Sequence, residues 1–567
     1  MDRRGNRPPS GGSPRAERQR RYAAAAAAGR FGEALEAARE LVAIDPTDAE
    51  NHAAEGRALL GLSRWAEAEA ALERSTAIDP GPAGPWLNLG LARERCERFD
   101  EAIAAYHAAT DRDPLDPQAA IALSAALAAV AAGEEAWEAI RRFARTGPPD
   151  LEVMRFTAYL ANLLPDRTPT AVAALHRTYG IALRGAVEPI AADRRLGGPF
   201  RPPRREPGEP IRIGFFGGDF REHPVGRFLL PVFEAFDRSE IRPFAYMLSP
   251  QRDGRSARFA AMLGPDWVEA HALDAVGLVA RARRDRLDVA VDLQGLIVGA
   301  RLGEFACRMA TVQATWLGYS NTTGVPGIDL RIVDATTDPE GSEAHASERL
   351  VRVAAPFIRW VADAPVAPRT TGRPFTFGCL SATERLNPAV ARLFAGATLA
   401  VPGSRLLVKS PGLASAGART RWLGWLGEAG LAADRVELRG RTPTVDEHVA
   451  LHGAIDVALD TFPGNGTTTT VEALAQGVPV VTLAGDRHAA RVGASLLTAV
   501  GLPELVATSA EGFVEAARRI AGDAERLAAL RRELPGRIAA GPLGDARGLA
   551  GELTRVFREA LETGIKA

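Results

Sequence analysis

The chain has 567 residues, 46% of them hydrophobic, and 69 Lys and Arg residues nearly balance 70 Asp and Glu residues. A chain of this length predicts about three to four domains, each able to bury its own core. Because the formal net charge is only −1, no global field would recruit nucleic acid or an anionic membrane surface. No apolar run reaches the roughly 18 residues that a membrane span requires, so no membrane insertion is expected.

Three cysteines, Cys96, Cys307 and Cys379, are too few and too far apart for a disulfide framework or a zinc cluster. They indicate a reducing compartment, and we expect a cytoplasmic protein. Residues 1–21 carry seven arginines with Pro, Gly and Ser but no secretory apolar segment. This composition predicts a disordered basic leader.

Residues 22–145 are periodic, with Asp-Pro pairs recurring every 34 residues, which is the tetratricopeptide period. Each unit is predicted to be two antiparallel helices, the second of which ends at the proline. A fourth copy is degraded, so residues 121–145 are expected to cap the array. Such arrays commonly bind proteins, and a dimerisation or packing element is the alternative. The recurring pairs are Asp45-Pro46, Asp79-Pro80 and Asp113-Pro114.

After a helical segment and Pro-rich linker at residues 146–208, short apolar strands alternate with helical patterns. The first set occupies residues 209–370 and the second set residues 371–567. Alternation of strand and helix predicts a parallel sheet in each set, hence two Rossmann-like lobes with a cleft between them. The predicted fold class is α/β, preceded by the helical repeat array.

The segment from Asp456 to Leu497 predicts an anion site. An apolar run ends at Asp460, and a Pro/Gly turn then leads to four threonines that open a helical pattern. Hydroxyls, backbone N–H groups and a helix N-terminus therefore converge at the edge of a parallel sheet, where open α/β folds bind ligands. A nucleotide phosphate fits this site, although Ser/Thr runs before helices are commonly only caps.

Three motifs in order resemble the catalytic region of the protein O-GlcNAc transferase and SPINDLY family: RIGFFGGDFREHPVGRFLLP at 212–231, VQATWLGYSNTTG at 312–324, and the threonine segment. The resemblance covers Ile211 to the C-terminus. It implies a GT-B architecture with the nucleotide-sugar donor on the second lobe. It also implies transfer of a GlcNAc-like sugar to Ser or Thr of proteins, with inversion and without a metal ion or other cofactor.

For the first lobe, the resemblance implies acceptor-side roles. His223 matches a family histidine for which a base role was proposed, with substrate orientation as the alternative. Asp219 could orient His223 or cap the next helix, and capping is expected. Arg227 stands where animal members have a second histidine and is expected to meet a different acceptor or donor group. The loop residues expected near the sugar are Trp316, Tyr319, Thr322 and Thr323, with the core as the alternative for Trp316.

For the second lobe, the resemblance implies donor-side roles. Glu472 matches the acid that bonds the ribose, and His448 matches the histidine that contacts the base, with a plain surface histidine as the alternative. Arg491 is expected to complete the phosphate site or to pair with an acidic neighbour. The expected diphosphate ligands, through hydroxyl and N–H groups, are Thr467, Thr468 and Thr469.

The main departure from the family lies at Arg385, where the family has a lysine that neutralises the diphosphate. Arginine keeps the charge and can clamp phosphate with two donors, but it cannot give up a proton. Only Lys409 and Lys566 are lysines, so drift with retained function is one explanation and a weakened enzyme the other. Thr467, a histidine in animal members, leaves the donor open: UDP-GlcNAc is expected first, with GDP-fucose or another nucleotide sugar as alternatives.

The sequence of the repeats indicates what kind of protein partner to expect. Long arrays in this family carry an asparagine ladder, of which this chain has Asn88 but Ala54 and Ala122 at the equivalent positions. A narrow set of protein acceptors is therefore expected, and the oligomeric state stays open. The second hypothesis is a catalytically weak or inactive adaptor that binds a partner protein and nucleotide. A third, transfer to a lipid or glycan, is disfavoured by the repeats.

Overall fold

The computed structural model describes residues 14–206, 208–362 and 364–563, and the chain divides into two compact units. The first unit is the part up to Pro148 together with Ala414–Arg419, and the second is the remainder from Pro149 onward. In the portion described, none of the helices is both long enough and apolar enough to span a membrane.

The first unit is built from four successive helix pairs. The predicted end of the second helix in each repeat is confirmed, because Asp45, Asp79 and Asp113 are the C-caps of α2, α4 and α6. The degraded fourth copy, which was expected to cap the array, still forms a complete helix pair. The helices are α1 (Pro14–Ala27), α2 (Phe31–Ile44), α3 (Ala49–Gly61), α4 (Trp65–Ile78), α5 (Ala83–Arg95), α6 (Phe99–Arg112), α7 (Pro117–Ala129) and α8 (Gly133–Thr146).

The expected disordered leader is wrong for residues 14–21, which lie in α1. Its arginines have acidic partners on α2, since Arg18 and Arg21 lie 2.7 and 2.8 Å from the carboxylate oxygens of Glu40. Ala25, further along the same helix, is buried in the repeat core. The basic residues predicted to be disordered therefore lie on one face of a packed helix. The rest of the predicted leader, residues 1–13, lies outside the described residues.

The second unit opens with a helical hairpin, α9 (Leu151–Leu163) and α10 (Pro169–Ala186), and the short α11 (Glu188–Ala191). A seven-stranded parallel sheet follows, in the order β3-β2-β1-β4-β5-β6-β7. Its strands are β1 (Ile211–Gly217), β2 (Ile241–Met247), β3 (Trp267–Glu269), β4 (Val289–Asp292), β5 (Val312–Thr315), β6 (Leu330–Asp334) and β7 (Arg349–Val353). Its helices are α12 (Pro224–Ala235), α13 (Gly254–Leu263), α14 (Ala275–Arg284) and α15 (Leu302–Ala306).

A six-stranded parallel sheet forms the second lobe, in the order β10-β9-β8-β11-β12-β13. Its strands are β8 (Thr376–Cys379), β9 (Arg405–Lys409), β10 (Val436–Arg439), β11 (Val457–Leu459), β12 (Val480–Leu483) and β13 (Val506–Ala507). The helices in this part of the chain are α16 (Pro388–Leu399), α17 (Ala416–Glu428), α18 (Val445–Ala450), α19 (Thr468–Ala475), α20 (Val492–Ala499), α21 (Ala510–Ala521), α22 (Ala524–Ala540) and α23 (Ala546–Thr563).

The predicted parallel sheets are confirmed, with two differences. The edge strands β3, β7 and β13 were not predicted. Strands β3 and β13, with 3 and 2 residues, are too brief to show a clear alternation. The last helix, α23, was expected in the second lobe but packs against α12 and β7 of the first. An amphipathic sequence pattern predicts that a helix has an apolar face, but it does not indicate which lobe that face packs against.

The strand orders place the functional loops. The order of connection reverses between β1 and β4 in the first sheet and between β8 and β11 in the second. Ligands of open α/β folds bind at the carboxyl ends of strands at such switch points. The loop after β1 carries His223, the loop after β8 carries Arg385, and the loop after β11 carries the threonines.

Two glycines on α10 differ in a way that tests how the hairpin packs. A Cβ atom on Gly180 would lie 1.8 Å from the carbonyl oxygen of Gly324, whereas one on Gly185 would meet nothing within 4 Å. Because backbone atoms cannot yield as a side chain can, we expect Gly180→Ala to lower the free energy of unfolding by about 1–3 kcal/mol. Gly185→Ala should be neutral or stabilising by up to about 1 kcal/mol. Thermal and urea unfolding measure both, and equal stability of the two variants would contradict this packing.

Candidate functional site

The first-lobe side of the site is the turn from β1 into α12. His223 is the N-cap of α12, where its Nδ1 accepts a hydrogen bond from the Val225 N–H at 3.4 Å. The predicted capping role of Asp219 is therefore wrong, and its carboxylate instead lies 3.4 Å from the same Nδ1. Gly226 lets the turn fold back on the helix, since a Cβ there would lie 2.2 Å from the Arg221 carbonyl oxygen.

The protonation of His223 follows from these neighbours. Burial lowers the pKa of His223, the Asp219 carboxylate acts in the opposite direction, and Arg221 adds to the lowering. The imidazole is therefore mainly neutral near pH 7, with a third of its side chain exposed. A neutral, partly exposed imidazole beside a carboxylate can accept a proton and be stabilised when it does so.

The second-lobe side is the loop from β11 into α19, held by the buried Asp460. The Asp460 carboxylate accepts hydrogen bonds from the Thr461 and Gly466 N–H groups at 2.9 and 2.7 Å and from the Thr482 hydroxyl at 2.8 Å. Burial raises the pKa of Asp460 to about 6, although these hydrogen bonds and Arg385 act against the rise. These hydrogen bonds to Asp460 fix the conformation of the loop that precedes the threonines.

The N-terminus of α19 is arranged for an anion. Thr467 is the N-cap, and it caps the helix without a side-chain hydrogen bond to any residue of the described chain. Thr467, Thr468 and Thr469 are only half-buried, whereas Thr470 is buried. The N–H groups of a first helical turn have no intrahelical partner and carry the positive end of the helix dipole.

Arg385 lies against the same loop. Its Nη1 donates to the carbonyl oxygen of Asn465 at 2.7 Å, and its side-chain carbons lie beside Gly464. Its Nε is buried and has no hydrogen-bond partner among residues 14–206, 208–362 and 364–563. The structure therefore places Arg385 next to the loop that leads into α19, as predicted. The Nε–H group of Arg385 is the donor that has no hydrogen-bond partner in the described residues.

A line of charged groups crosses the cleft between the lobes. Nη1 of Arg227 on α12 donates to Oε1 of Glu472 on α19 at 3.4 Å. Oε2 of Glu472 lies 3.4 Å from Nε2 of His448, whose Nδ1 lies 3.4 Å from Nζ of Lys409. Burial and nearby Arg441 lower the pKa of Lys409. Three of the predicted site residues thus meet, and Arg227 of the first lobe contacts a residue of the second lobe.

A cavity of about 690 Å³ opens beside this line of charges. Arg227, His448 and Glu472 line it together with Trp360 and an apolar run at residues 364–368. The Arg227 guanidinium lies 5.7 Å from the centroid of the Trp360 ring. A cavity lined by apolar residues with a few charged side chains is the usual character of a small-molecule site.

The loop WLGYSNTTG does not supply the predicted sugar contacts. Trp316 is 2% exposed and donates to the Phe357 carbonyl, which bears out its alternative as a core residue. Thr322 and Thr323 are fully buried, and both hydroxyls donate to the Glu348 carboxylate. The expectation that these three side chains face a sugar is therefore wrong. Because Glu348 is 25 residues from Thr323 in the sequence, no local sequence pattern predicts this hydrogen bond.

Two more predicted residues have partners elsewhere. The Tyr319 hydroxyl lies 2.8 Å from Nε2 of His176, which joins the loop to α10 rather than exposing the hydroxyl to a sugar. Burial lowers the pKa of His176 to about 4, so it is neutral. Arg491 donates to the carbonyl oxygens of Thr336 and Gly485 at 2.7 and 3.0 Å. Of its two expected roles, pairing with an acidic neighbour is wrong, because Arg491 links the lobes through these backbone carbonyls. Completion of the phosphate site stays a prediction.

Sequence reasoning missed the role of α9, which touches the loops of both lobes. Burial first, and then the carboxylate of Glu384, the neighbour of Arg385, raise the pKa of Tyr159 on α9. A Cβ on Gly464 would lie 3.2 Å from Leu163, and Asn162 accepts from Asn321 at 2.9 Å. These contacts join segments that are far apart in the sequence, and no sequence motif predicts them. Lys409 was also missed, although its rarity as one of two lysines was a usable signal.

Residues after β4 were missed as well. Asp292 accepts from the Gln294 and Gly295 N–H groups at 3.1 and 2.8 Å, and burial raises its pKa to about 6. Gln294 is 6% exposed, and its Oε1 has no partner within the described chain. Both lie at the first switch point, next to the His223 loop. In the described ranges, no three His, Cys, Asp or Glu side chains are grouped so that they could hold a metal ion.

The sequence profile of glycosyl transferase family 41 matches residues 196–363 and 387–553, more than half of the chain. The chain belongs to this family. A tetratricopeptide repeat profile matches residues 25–93, within the family 41 protein's first unit. The predicted family and the predicted GT-B fold with a repeat array are therefore confirmed.

The family 41 protein is similar to the probable UDP-N-acetylglucosamine–peptide N-acetylglucosaminyltransferase SPINDLY of Arabidopsis thaliana, at 34% identity over 62% of this chain, and to that of Solanum lycopersicum, at 35%. The match spans about 40% of the length of those relatives. A solved structure of a Thermobaculum terrenum O-GlcNAc transferase mutant is similar over 91% of this chain and 98% of its own, with 30% identity and a TM-score of 0.82.

Proposed function

We propose that this protein transfers a sugar, GlcNAc as the first candidate, from a nucleotide sugar to Ser or Thr hydroxyls of a protein. One observation carries the proposal, the 3.4 Å contact between Arg227 and Glu472. Arg227 lies one helical turn after His223 on α12, and Glu472 lies one turn after Thr468 on α19. Since a turn advances only about 5.4 Å, the imidazole and the anion site fall within reach of one substrate.

The donor would lie along α19. Its diphosphate would accept from the Thr467–Thr469 hydroxyls and N–H groups and from Arg385, and its ribose would bond Glu472. The base would then reach His448 and the 690 Å³ cavity, which continues along α19 in that direction. Phosphate, ribose and base would thus lie along one helix in the order in which they are bonded.

Transfer would proceed by attack of the acceptor hydroxyl on the anomeric carbon, opposite the diphosphate. The new bond to the hydroxyl oxygen forms as the bond to the phosphate oxygen breaks, so the configuration inverts. The hydroxyl proton goes to His223, whose cationic form Asp219 stabilises. Charge that develops on the leaving nucleoside diphosphate is neutralised by Arg385 and the helix N-terminus.

Arg385 and α19 together supply the cationic groups that such a leaving group needs, so we propose transfer without a divalent ion. Activity that persists in EDTA would support this, and activity restored only by added Mg²⁺ or Mn²⁺ would refute it. The acceptor would be a protein held by the repeats, and the cytoplasm stays the expected compartment. The repeats support a protein acceptor rather than a lipid or glycan, because helical-repeat arrays present extended protein-binding surfaces.

Calorimetric titration with UDP, GDP and CMP tests the donor site. We expect one nucleotide to bind, and we expect a Thr468→Ala, Thr469→Ala variant to bind it at least about tenfold more weakly, because hydrogen bonds to a charged group are lost. Thr498→Ala, an exposed threonine near the end of α20, is the matched control and should not change the affinity. A folded protein that binds none of the three would contradict the proposed donor site.

A further inference from the structure

Lys409, the last residue of β9, stands at the end of the line of charged groups that includes Glu472. Its Nζ lies 3.4 Å from Nδ1 of His448, and Nε2 of His448 lies 3.4 Å from Oε2 of Glu472. An ammonium group donates hydrogen bonds and accepts none, so Nδ1 is the acceptor and Nε2 carries the ring proton. Since each imidazole nitrogen offers one hydrogen-bonding site, both are engaged by the protein.

His448 therefore has no ring nitrogen left to recognise the edge of a nucleobase. It lines the 690 Å³ cavity in which the base is proposed to lie, so it contributes contact through its ring. Ring contact is available to every base and distinguishes poorly between them. A different side chain has to distinguish one base from another.

Lys409 has the hydrogen-bond donors for this task. An ammonium has three donors, and the hydrogen-bond partner of Lys409 within the described chain is His448. No carboxylate of the described residues forms an ion pair with Lys409, although this side chain is half-buried. Arg441, which after burial lowers the pKa of Lys409, is a cation as well. A half-buried group with unused donors favours a ligand atom that accepts hydrogen bonds.

The position of Lys409 determines which edge of the base it would meet. Glu472, the expected ribose ligand, and Lys409 contact different nitrogens of the His448 ring. Two strand spacings, roughly 10 Å, separate the end of β9 from the end of β11, whose loop leads to the threonines. A base that extends from the ribose past His448 presents to Lys409 the edge remote from the sugar. On that edge uracil and guanine carry a carbonyl oxygen, whereas cytosine and adenine carry an amino group.

We propose that Lys409 is a specificity residue of the donor site, which donates a hydrogen bond to the exocyclic carbonyl oxygen of the base and so favours uracil and guanine nucleotides over cytosine and adenine nucleotides. This inference rests on the proposed function, because it assumes a nucleotide donor whose ribose binds Glu472. An amino group in the same place would face the ammonium with a second donor, and neither group would be satisfied.

UDP and CDP isolate this contact, because they differ only along the edge in question. We expect the wild-type protein to bind UDP at least about tenfold more tightly than CDP, or GDP at least about tenfold more tightly than ADP if the site takes a purine. Lys409→Met keeps most of the side-chain length but has no donor. In this variant the preference should fall to within about threefold, because the carbonyl base binds more weakly.

The experiment is calorimetry of the full-length protein with UDP, CDP, GDP and ADP. Arg405→Met is the matched control, since Arg405 is an exposed cation at the opposite end of the same strand. It should leave all four affinities unchanged. Lys409→Arg should keep part of the preference, because N–H donors remain although their geometry differs. Circular dichroism and thermal unfolding of each variant establish that it is folded.

The outcomes separate this inference from the proposed function. A preference for carbonyl bases that is lost in Lys409→Met supports the inference. Equal weakening of UDP and CDP in that variant would show that Lys409 holds His448 or a phosphate, and it would overturn the inference while the donor site stands. A wild-type protein that binds nucleotides without this preference would overturn it in the same way. Failure of the wild-type protein to bind any of the four overturns the proposed function and this inference together.

Discussion

Replacement of His223 with alanine is expected to reduce sugar transfer by about 10²–10⁴-fold while nucleotide affinity stays within about twofold. The reason is the division of the site: His223 caps α12 in the first lobe, whereas the diphosphate ligands lie on α19 in the second. Removing the imidazole takes away the acceptor of the hydroxyl proton but leaves the anion site intact.

Transfer from the nucleotide sugar that calorimetry identifies, followed by mass spectrometry of the acceptor, measures this effect. His271→Ala is the control, because His271 is an exposed histidine of the same lobe. It should retain full activity. Loss of nucleotide binding in parallel with transfer would show that His223 maintains the fold of the cleft and is not a proton acceptor.

The pH dependence of sugar transfer is an independent test of His223 as the proton acceptor. A base must be neutral to act, so transfer should fall as the pH drops through the lowered pKa of His223. The Asp219 carboxylate raises that pKa, hence Asp219→Asn should move the acid limb of the profile to still lower pH. The same variant should be slower at its optimum, because the imidazolium formed in the reaction loses its counter-charge.

Replacement of Arg385 with alanine is expected to lower kcat by about 10²–10³-fold, the usual effect of removing one preorganised donor from a developing anion. Arg385 is anchored by its bond to the Asn465 carbonyl and keeps its Nε without a partner in the described structure. Arg385→Lys should retain activity within about tenfold, because the charge survives although the fork geometry is lost.

Steady-state kinetics of the three proteins, with kcat and the donor KM determined separately, decide this prediction. Arg392→Ala serves as the matched control, since Arg392 is an exposed arginine on the following helix, α16. It should not change either constant. Full activity in Arg385→Ala would mean that the diphosphate is neutralised elsewhere, and inactivity of the wild-type protein would restore the adaptor hypothesis.

Much of the fold could be predicted because its signals are local. The 34-residue Asp-Pro spacing determined the helix pairs, since each proline ends a helix wherever it recurs. The apolar strands alternating with helical patterns determined both parallel sheets. The turn after Asp460 followed by threonines determined a helix N-terminus with open donors, which depends only on neighbouring residues.

The partners of polar side chains were decided only by the tertiary structure. Thr322 and Thr323 look as available in sequence as Thr468 and Thr469, yet Glu348 engages the first pair inside the lobe. The placement of α23 on the first lobe and the contacts of α9 with both lobes likewise join segments far apart in the chain.

Arg227 illustrates the same limit at the site. Its motif places it on the acceptor side, and only the closure of the cleft brings it to Glu472, 245 residues away. Local spacing determines which residues share a helix face or a turn, because backbone geometry is periodic. Which side chain satisfies which carboxylate depends on how the lobes pack, and that information is spread over the whole chain rather than carried by any one segment.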